Sequence, residues 1–97
     1  AYKGEDKILA QQTKALIGDA YVELGQLDKA ISNYKDAAKS NNVMTTPFIL
    51  LKLGQVYEMQ KNNAEALNCY KRIKTEFPAS QEYREIEKYI SRLENLQ

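Results

Sequence analysis

Two stretches of the chain, 36 residues apart, decide the fold: residues 14–21 read KALIGDAY and residues 50–57 read LLKLGQVY. The same offset pairs identical residues at four positions, which are Gly18 with Gly54, Tyr21 with Tyr57, Ala30 with Ala66 and Tyr34 with Tyr70. Apolar residues between these positions recur at helical spacing in both copies. A repeated pair of helical segments with a period of about 34 residues predicts a helix-turn-helix solenoid.

Both repeated glycines lie inside helical patterns, where glycine costs about 1 kcal/mol relative to alanine. A packing reason is therefore expected for Gly18 and Gly54. We expect Ala30 and Ala66 to face these glycines, so that two antiparallel helix backbones come close together. The four repeated tyrosines would fill the space around each contact, which makes them core residues rather than a cofactor site.

Composition excludes several classes of site. The 97 residues carry a formal net charge of +1, contain no histidine and include a single cysteine, Cys69. Histidine-dependent nucleophiles, imidazole metal sites and an intramolecular disulfide are therefore excluded. The alternating charges form no basic patch for nucleic acid, and no stretch reaches the roughly 18 apolar residues of a membrane span. We expect no enzymatic activity, cofactor, metal, nucleic acid or direct membrane contact for this segment.

The repeated pattern resembles the tetratricopeptide repeat family, whose signature is W-x2-L-G-x2-Y, then A-x3-F, then P. The second copy follows this signature from Leu50 to Pro78, whereas the first copy has Lys14 in place of the tryptophan and Asn42 in place of the proline. The resemblance spans roughly residues 11–78. It implies an all-α fold, a right-handed α-α superhelix of two repeats followed by a C-terminal capping helix.

Capping residues predict where each helix begins. We expect one domain over residues 1–97, with a first repeat at about 6–42, a second at 46–78 and a capping helix at 80–96. The expected N-caps are Asp6, Asp28, Thr46, Asn62 or Asn63, and Ser80. Gly25 is expected to end the first helix. The capping helix is expected to bury one apolar stripe, which consists of Tyr83, Ile86, Ile90 and Leu93.

In the family that the chain resembles, the first helix of each repeat lines a concave groove that binds a protein partner. By resemblance, the groove residues are Gln12, Ala15, Asp19, Val22, Glu23, Phe48, Leu51, Gln55, Glu58 and Met59. The family branch that grips C-terminal carboxylates has lysine and asparagine where this chain has Ala15 with Asp19 and Leu51 with Gln55, so we expect no such clamp. We expect the three groove carboxylates to repel an acidic tail, and we interpret them as solvated helix surface rather than as a catalytic pair.

The run from Phe48 to Leu53 is apolar nearly all round its helix, which is more than one core face requires. Either the long first helix and the final helix bury the excess, or Phe48, Leu51 and Met59 receive an apolar partner segment or a second copy of the chain. The sequence therefore predicts a noncatalytic scaffold that binds a protein or peptide. The alternative is a homo-oligomerisation module, for which a homodimer is the simplest state.

Residues 73–80 read IKTEFPAS and precede a charged helix. This ending resembles bacterial repeat proteins anchored to the inner membrane, similar to the ancillary subunit of the Sec translocon. The resemblance implies a membrane anchor upstream of residue 1 and a domain on the extracytoplasmic side that serves cell-envelope protein assembly or translocation. The residues themselves are also compatible with a cytoplasmic location.

Overall fold

The computed structural model describes the backbone of residues 3–96 and the side chains of residues 6–96. It contains five α-helices, which are α1 (Lys3–Glu23), α2 (Leu27–Ala38), α3 (Thr46–Met59), α4 (Asn63–Glu76) and α5 (Tyr83–Leu96). No strand occurs within residues 3–96. The predicted all-α fold class is therefore confirmed.

Each helix packs against the next helix along the chain. The pairs α1–α2 and α3–α4 form the two repeats, α2 packs against α3 between them, and α5 covers α4. The resulting array is elongated, with extents of 47, 33 and 15 Å. Packing mainly between neighbouring helices along the chain is the arrangement of a helical repeat solenoid.

The turn inside each repeat ends the first helix in the same way. Gly25 has a φ of +76°, and its N–H and that of Gln26 donate to carbonyls in the last turn of α1 at 3.0 and 2.9 Å. Lys61 has a φ of +62°, and its N–H and that of Asn62 donate to carbonyls at the end of α3, both at 2.8 Å. Both turns are Schellman motifs, in which one residue in the left-handed conformation stops the helix. The predicted role of Gly25 is confirmed, and Lys61 adopts the same conformation without being a glycine.

The N-caps predicted at Asp6 and Asp28 are wrong. α1 runs through Asp6, and α2 begins one residue before Asp28, which lies in its first turn. Gln26 takes the N-cap position because the Schellman turn already fixes the chain there, and the Asp28 carboxylate still interacts favourably with the helix dipole. The N-cap predicted at Asn62 is confirmed, since its side-chain oxygen accepts a backbone N–H three residues on at 3.4 Å.

The structure also differs from the predictions for Thr46 and Ser80, neither of which directly precedes its helix. Thr45 occupies the N-cap position of α3, and Thr46 is the first helical residue and is fully buried. Ser80 precedes α5 by three residues, because its hydroxyl donates to the carbonyl of Phe77 at 2.7 Å and accepts the N–H of Tyr83 at 3.3 Å. These two bonds close a turn ahead of the helix rather than starting the helix at the serine.

A buried polar cluster ties α1 to the loop between α2 and α3. The side-chain amide of Gln11 donates to the carbonyl of Ala37 and to the hydroxyl of Thr46, both at 3.0 Å, and its oxygen accepts the hydroxyl of Thr45. The Thr46 hydroxyl donates in turn to the carbonyl of Ser40. Because a buried amide is costly unless it is hydrogen-bonded, this cluster fixes how the first helix sits on the second repeat.

The repeated glycines make room for the repeated tyrosine rings. A Cβ atom at Gly18 would lie 2.6 Å from Cε1 of Tyr34, and one at Gly54 would lie 2.8 Å from Cζ of Tyr70. Real Cβ atoms essentially never come this close to another heavy atom. The predicted packing reason for both glycines is therefore confirmed, although the neighbour is the ring of the partner helix.

Ala30 and Ala66 are fully buried. The three atoms nearest to each added Cβ belong to a tyrosine ring, so the prediction that the two alanines face the glycines stays a prediction. The prediction that the repeated tyrosines lie in the core is correct for Tyr34, Tyr57 and Tyr70, which are buried. Tyr21 is half-buried, and the ammonium of Lys29 lies 5.6 Å from the centre of its ring.

The apolar stripe of α5 buries three of its four predicted members, which are Ile86, Ile90 and Leu93. Tyr83 is an exception: it is the first residue of the helix and remains exposed. Tyr89 packs there instead, with its ring centre 5.3 Å from that of Tyr70. The helix thus covers the second repeat as a cap would.

None of the helices within the described residues is both long enough and apolar enough to cross a membrane.

Candidate concave binding surface

The array carries two grooves, one between α1 and α3 and one bordered by α3, α4 and α5. The first groove has a volume of about 280 Å³ and is lined mainly by Gln12, Ala15, Leu16, Asp19, Phe48 and Lys52. The second groove also has a volume of about 280 Å³ and is lined by Gln55, Glu58, Tyr70, Tyr89 and Arg92. Each is large enough for one or two side chains of a partner rather than for a whole small-molecule substrate.

Six of the ten predicted groove residues line these two grooves, namely Gln12, Ala15, Asp19 and Phe48 in the first and Gln55 and Glu58 in the second. Four do not line either groove. Val22 and Leu51 are half-buried against the core, whereas Glu23 and Met59 are exposed. The grooves therefore contain the first three members of the predicted α1 set and three of the five members of the predicted α3 set.

Asp19 joins three helices at the floor of the first groove. Its carboxylate accepts Lys52 Nζ of α3 at 2.8 and 2.9 Å, and it accepts the hydroxyl of Tyr34 of α2. Burial tends to raise the pKa of Asp19, but the hydrogen bonds from Lys52 and Tyr34 and the charge of Lys52 outweigh it, so the pKa is lowered. The pKa of Tyr34 is raised by burial and by the neighbouring carboxylate. Asp19 is thus a stable anion with a fixed cationic partner.

Glu58 plays the same part in the second groove. Its two oxygens accept one guanidinium nitrogen of Arg92 from α5 at 2.8 and 2.9 Å, and the hydroxyl of Tyr70 from α4 donates to the same carboxylate. Burial is the main cause that raises the pKa of Tyr70, followed by the hydrogen bond to Glu58. The hydroxyl therefore stays protonated and keeps donating.

The two sites share one construction: a carboxylate on the first helix, a tyrosine on the second helix and a cation on the helix that follows. The tyrosines occupy equivalent repeat positions, but Asp19 and Glu58 do not. The interpretation of these two carboxylates as solvated surface is wrong, because each has a tyrosine donor and a cation. Sequence reasoning also missed Lys52 and Arg92. In the sequence, Lys52 stands out only as a single cation within the apolar run from Phe48 to Leu53.

The cations also cover aromatic rings. Lys52 Nζ lies 4.6 Å from the centre of the Phe48 ring, and Arg92 Cζ lies 5.5 Å from the centre of the Tyr89 ring. Phe48 is still 49% exposed and faces the first groove. Lys52 and Arg92 compensate the charges of Asp19 and Glu58, and the repulsion of an acidic tail stays a prediction.

The two grooves offer groups that can contact a partner. Within residues 6–96, no three histidine, cysteine, aspartate or glutamate side chains are grouped as a metal site. Cys69 is buried, and burial raises the pKa of its thiol to about 12. The grooves instead offer an apolar wall at Phe48, ion pairs at the floor, and the side-chain amides of Gln12 and Gln55 as hydrogen-bonding groups.

Comparison with known families identifies the same two repeats. Two models, both described as tetratricopeptide repeat, match the chain, one over residues 12–43 and the other over residues 49–80. Together they cover about two thirds of its 97 residues. No match was found among curated proteins or among solved structures.

Proposed function

This chain belongs to the tetratricopeptide repeat family, and on that premise we propose that it is a noncatalytic scaffold that binds a segment of a partner protein along its concave surface. Repeats of this family are typically protein–protein interaction scaffolds. The proposal rests on Phe48, a large aromatic residue that is 49% exposed. It lies beside a groove of about 280 Å³, which can hold one or two side chains of a partner. Large exposed aromatic residues of this kind are the usual anchors of protein interfaces.

The groove chemistry favours an apolar segment of low net charge. Phe48 and Leu16 form an apolar wall, so an aliphatic or aromatic side chain of the partner is expected between them. Lys52 and Arg92 compensate the carboxylates beneath, so neither a strongly acidic nor a strongly basic segment gains much from this surface. The side-chain amides of Gln12 in the first groove and Gln55 in the second groove can hydrogen-bond the backbone of an extended or helical peptide. An interface of this size is expected to be weak.

Self-association through the same groove is less favoured. Leu51, which was expected to form that contact together with Phe48, is half-buried against the core. Phe48 alone offers too little apolar area for a stable dimer contact. The expected role in cell-envelope assembly or translocation stays a prediction, because neither family match concerns a membrane-anchored protein.

The test uses a phage library of random linear peptides as the probe, since it assumes no particular partner. Peptides selected on the chain should carry apolar side chains, and Phe48→Ala should weaken their binding at least about tenfold. Met44→Ala is the matched control, because Met44 is an exposed apolar residue in the α2–α3 loop that lines neither groove. Enriched peptides that bind Phe48→Ala as well as the parent would refute the proposed surface.

A further inference from the structure

One side of α1 carries an apolar stripe that faces away from the core. Its members are exposed and recur at helical spacing: Leu9, Thr13, Ile17, Ala20 and Leu24, hereafter the α1 outer face. Leu9 is 64% and Leu24 is 67% exposed. The buried residues Gln11 and Gly18 lie on the opposite side of the same helix. Three large apolar side chains in one stripe form a more continuous apolar patch than the scattered exposed hydrophobic residues of an ordinary monomer.

The internal repeat shows what this face does in the second copy. At the offset of 36 residues, the counterparts of Thr13, Ile17 and Ala20 are Ile49, Leu53 and Val56. All three counterparts are buried in the core, where α2 packs against α3. The same side of the first helix is therefore a helix-packing face in this architecture. On α1, nothing within the described residues packs there as α2 packs on α3.

The two ends of the array differ in character. The side of α5 that points away from its buried stripe carries exposed polar and charged residues, which are Arg84, Lys88, Ser91 and Asn95. An apolar end gains little by stacking on this polar end, so open head-to-tail growth is disfavoured. Two apolar ends can bury each other and close the assembly with two-fold symmetry. The net charge of +1 gives little repulsion between copies.

The pattern of the stripe fits an antiparallel pair. Leu9 and Leu24 lie at its two ends, and the smaller residues Thr13 and Ala20 lie at equal distances from its middle. When a second helix runs in the opposite direction, Leu9 meets Leu24 and Thr13 meets Ala20. The small pair lets the two backbones come close, and the leucines cover the ends of the contact.

We propose that the α1 outer face pairs with the same face of a second copy of this chain, forming a two-fold dimer with antiparallel α1 helices. This assembly goes beyond peptide binding, because it uses neither Phe48 nor Leu51. It leaves Phe48 and the second groove outside the contact.

Sedimentation equilibrium of the 97-residue chain between about 10 μM and 1 mM tests the proposal. The mass should rise from 11.1 kDa towards twice that value as the concentration increases. The double variant Leu9→Glu with Leu24→Glu should stay at the monomer mass over the whole range. Leu96→Glu is the matched control, because Leu96 is 68% exposed on α5 and outside the face. It should associate like the parent.

A parent that stays monomeric up to about 1 mM, or one whose mass passes beyond a dimer, overturns the proposal. Association that survives the double variant but is lost in Phe48→Glu would place the contact in the first groove and overturn it as well. Circular dichroism establishes that each variant is folded. The double variant should also keep its affinity for the selected peptides, so failure of the dimer and failure of the binding groove are separate results.

Cysteine cross-linking tests the helix direction. Chains carrying Leu9→Cys and chains carrying Leu24→Cys are mixed and oxidised, with the buried Cys69 replaced by serine in both. Antiparallel pairing predicts that mixed disulfide dimers dominate over dimers of either chain alone. A dominance of like-with-like dimers would contradict the antiparallel arrangement.

Discussion

Replacing Gly54 in α3 probes the contact that defines each repeat. An added Cβ would lie within 3.0 Å of three ring atoms of Tyr70, which is fully buried and donates its hydroxyl to Glu58. Gly54→Ala gains about 1 kcal/mol in helix propensity. Overpacking costs about 1–3 kcal/mol, and displacing the ring weakens a hydrogen bond to a charged group worth about 1.5–3 kcal/mol. We expect a net loss of about 2 kcal/mol, and a larger loss for Gly54→Leu.

Urea denaturation measures these losses as a fall in the midpoint at constant slope. On heating, about 2 kcal/mol corresponds to a drop in Tm of roughly 8–16 °C for a domain of this size. Gln55→Gly and Gln55→Ala, at the exposed neighbouring position, give the helix propensity difference without the ring contact.

A double-mutant cycle identifies the ring as the cause. In a Tyr70→Leu background, Gly54→Ala should become neutral or stabilising by about 1 kcal/mol, because only the propensity gain remains. The reasoning is refuted when Gly54→Ala is at least as stable as the parent, or when the two substitutions are additive.

Three further substitutions test local features. Lys61→Gly should stabilise the chain by about 1 kcal/mol, since it removes a side chain from a residue held at a φ of +62°. Gly25→Ala should destabilise the chain by a similar amount, because it places a side chain at a φ of +76°. Thermal melting of both variants checks this pair. Gln11→Leu should destabilise the chain by about 1–3 kcal/mol in urea, because Thr46 loses a buried donor, and an unchanged midpoint would show that the polar cluster is dispensable. Burial raises the pKa of the Cys69 thiol to about 12, so it is protonated below that pH; at a pH of about 8 a thiol reagent should label it only as fast as the chain unfolds, and rapid labelling of the native chain would contradict its burial.

The periodic features of the fold could be predicted from the sequence. The offset of 36 residues predicted the four helices of the two repeats, and Gly25 and Asn62 marked two of their ends. The lack of space for a side chain at Gly18 and Gly54 was also predictable, because a glycine inside a helix usually has a packing reason. The sequence pattern could not show which residue lies against each glycine, because the distance from Gly54 to the ring of Tyr70 depends on how the two helices cross.

Polar residues account for most of the differences. Gln11 has no apolar character, so its burial depends on hydrogen-bond partners supplied by residues 37–46. Asp19 and Glu58 occupy different positions in their repeats, so no periodic signal connects them. Their common feature is the tyrosine hydroxyl, and the sequence pattern counts Tyr34 and Tyr70 only as apolar core. Competing local bonds explain Ser80, whose hydroxyl closes a turn instead of capping a helix.

We propose that one concave surface, shared by α1 and α3, receives the partner. Backbone amide chemical shifts of the isotope-labelled chain, recorded while a library-selected peptide is added, test it most directly. The double variant Leu9→Glu with Leu24→Glu is used, so that self-association does not contribute. The account predicts that the large shifts fall within residues 12–19 and 48–58, on both first helices at once. Shifts confined to α2 and α4, or to one end of the array, would contradict it.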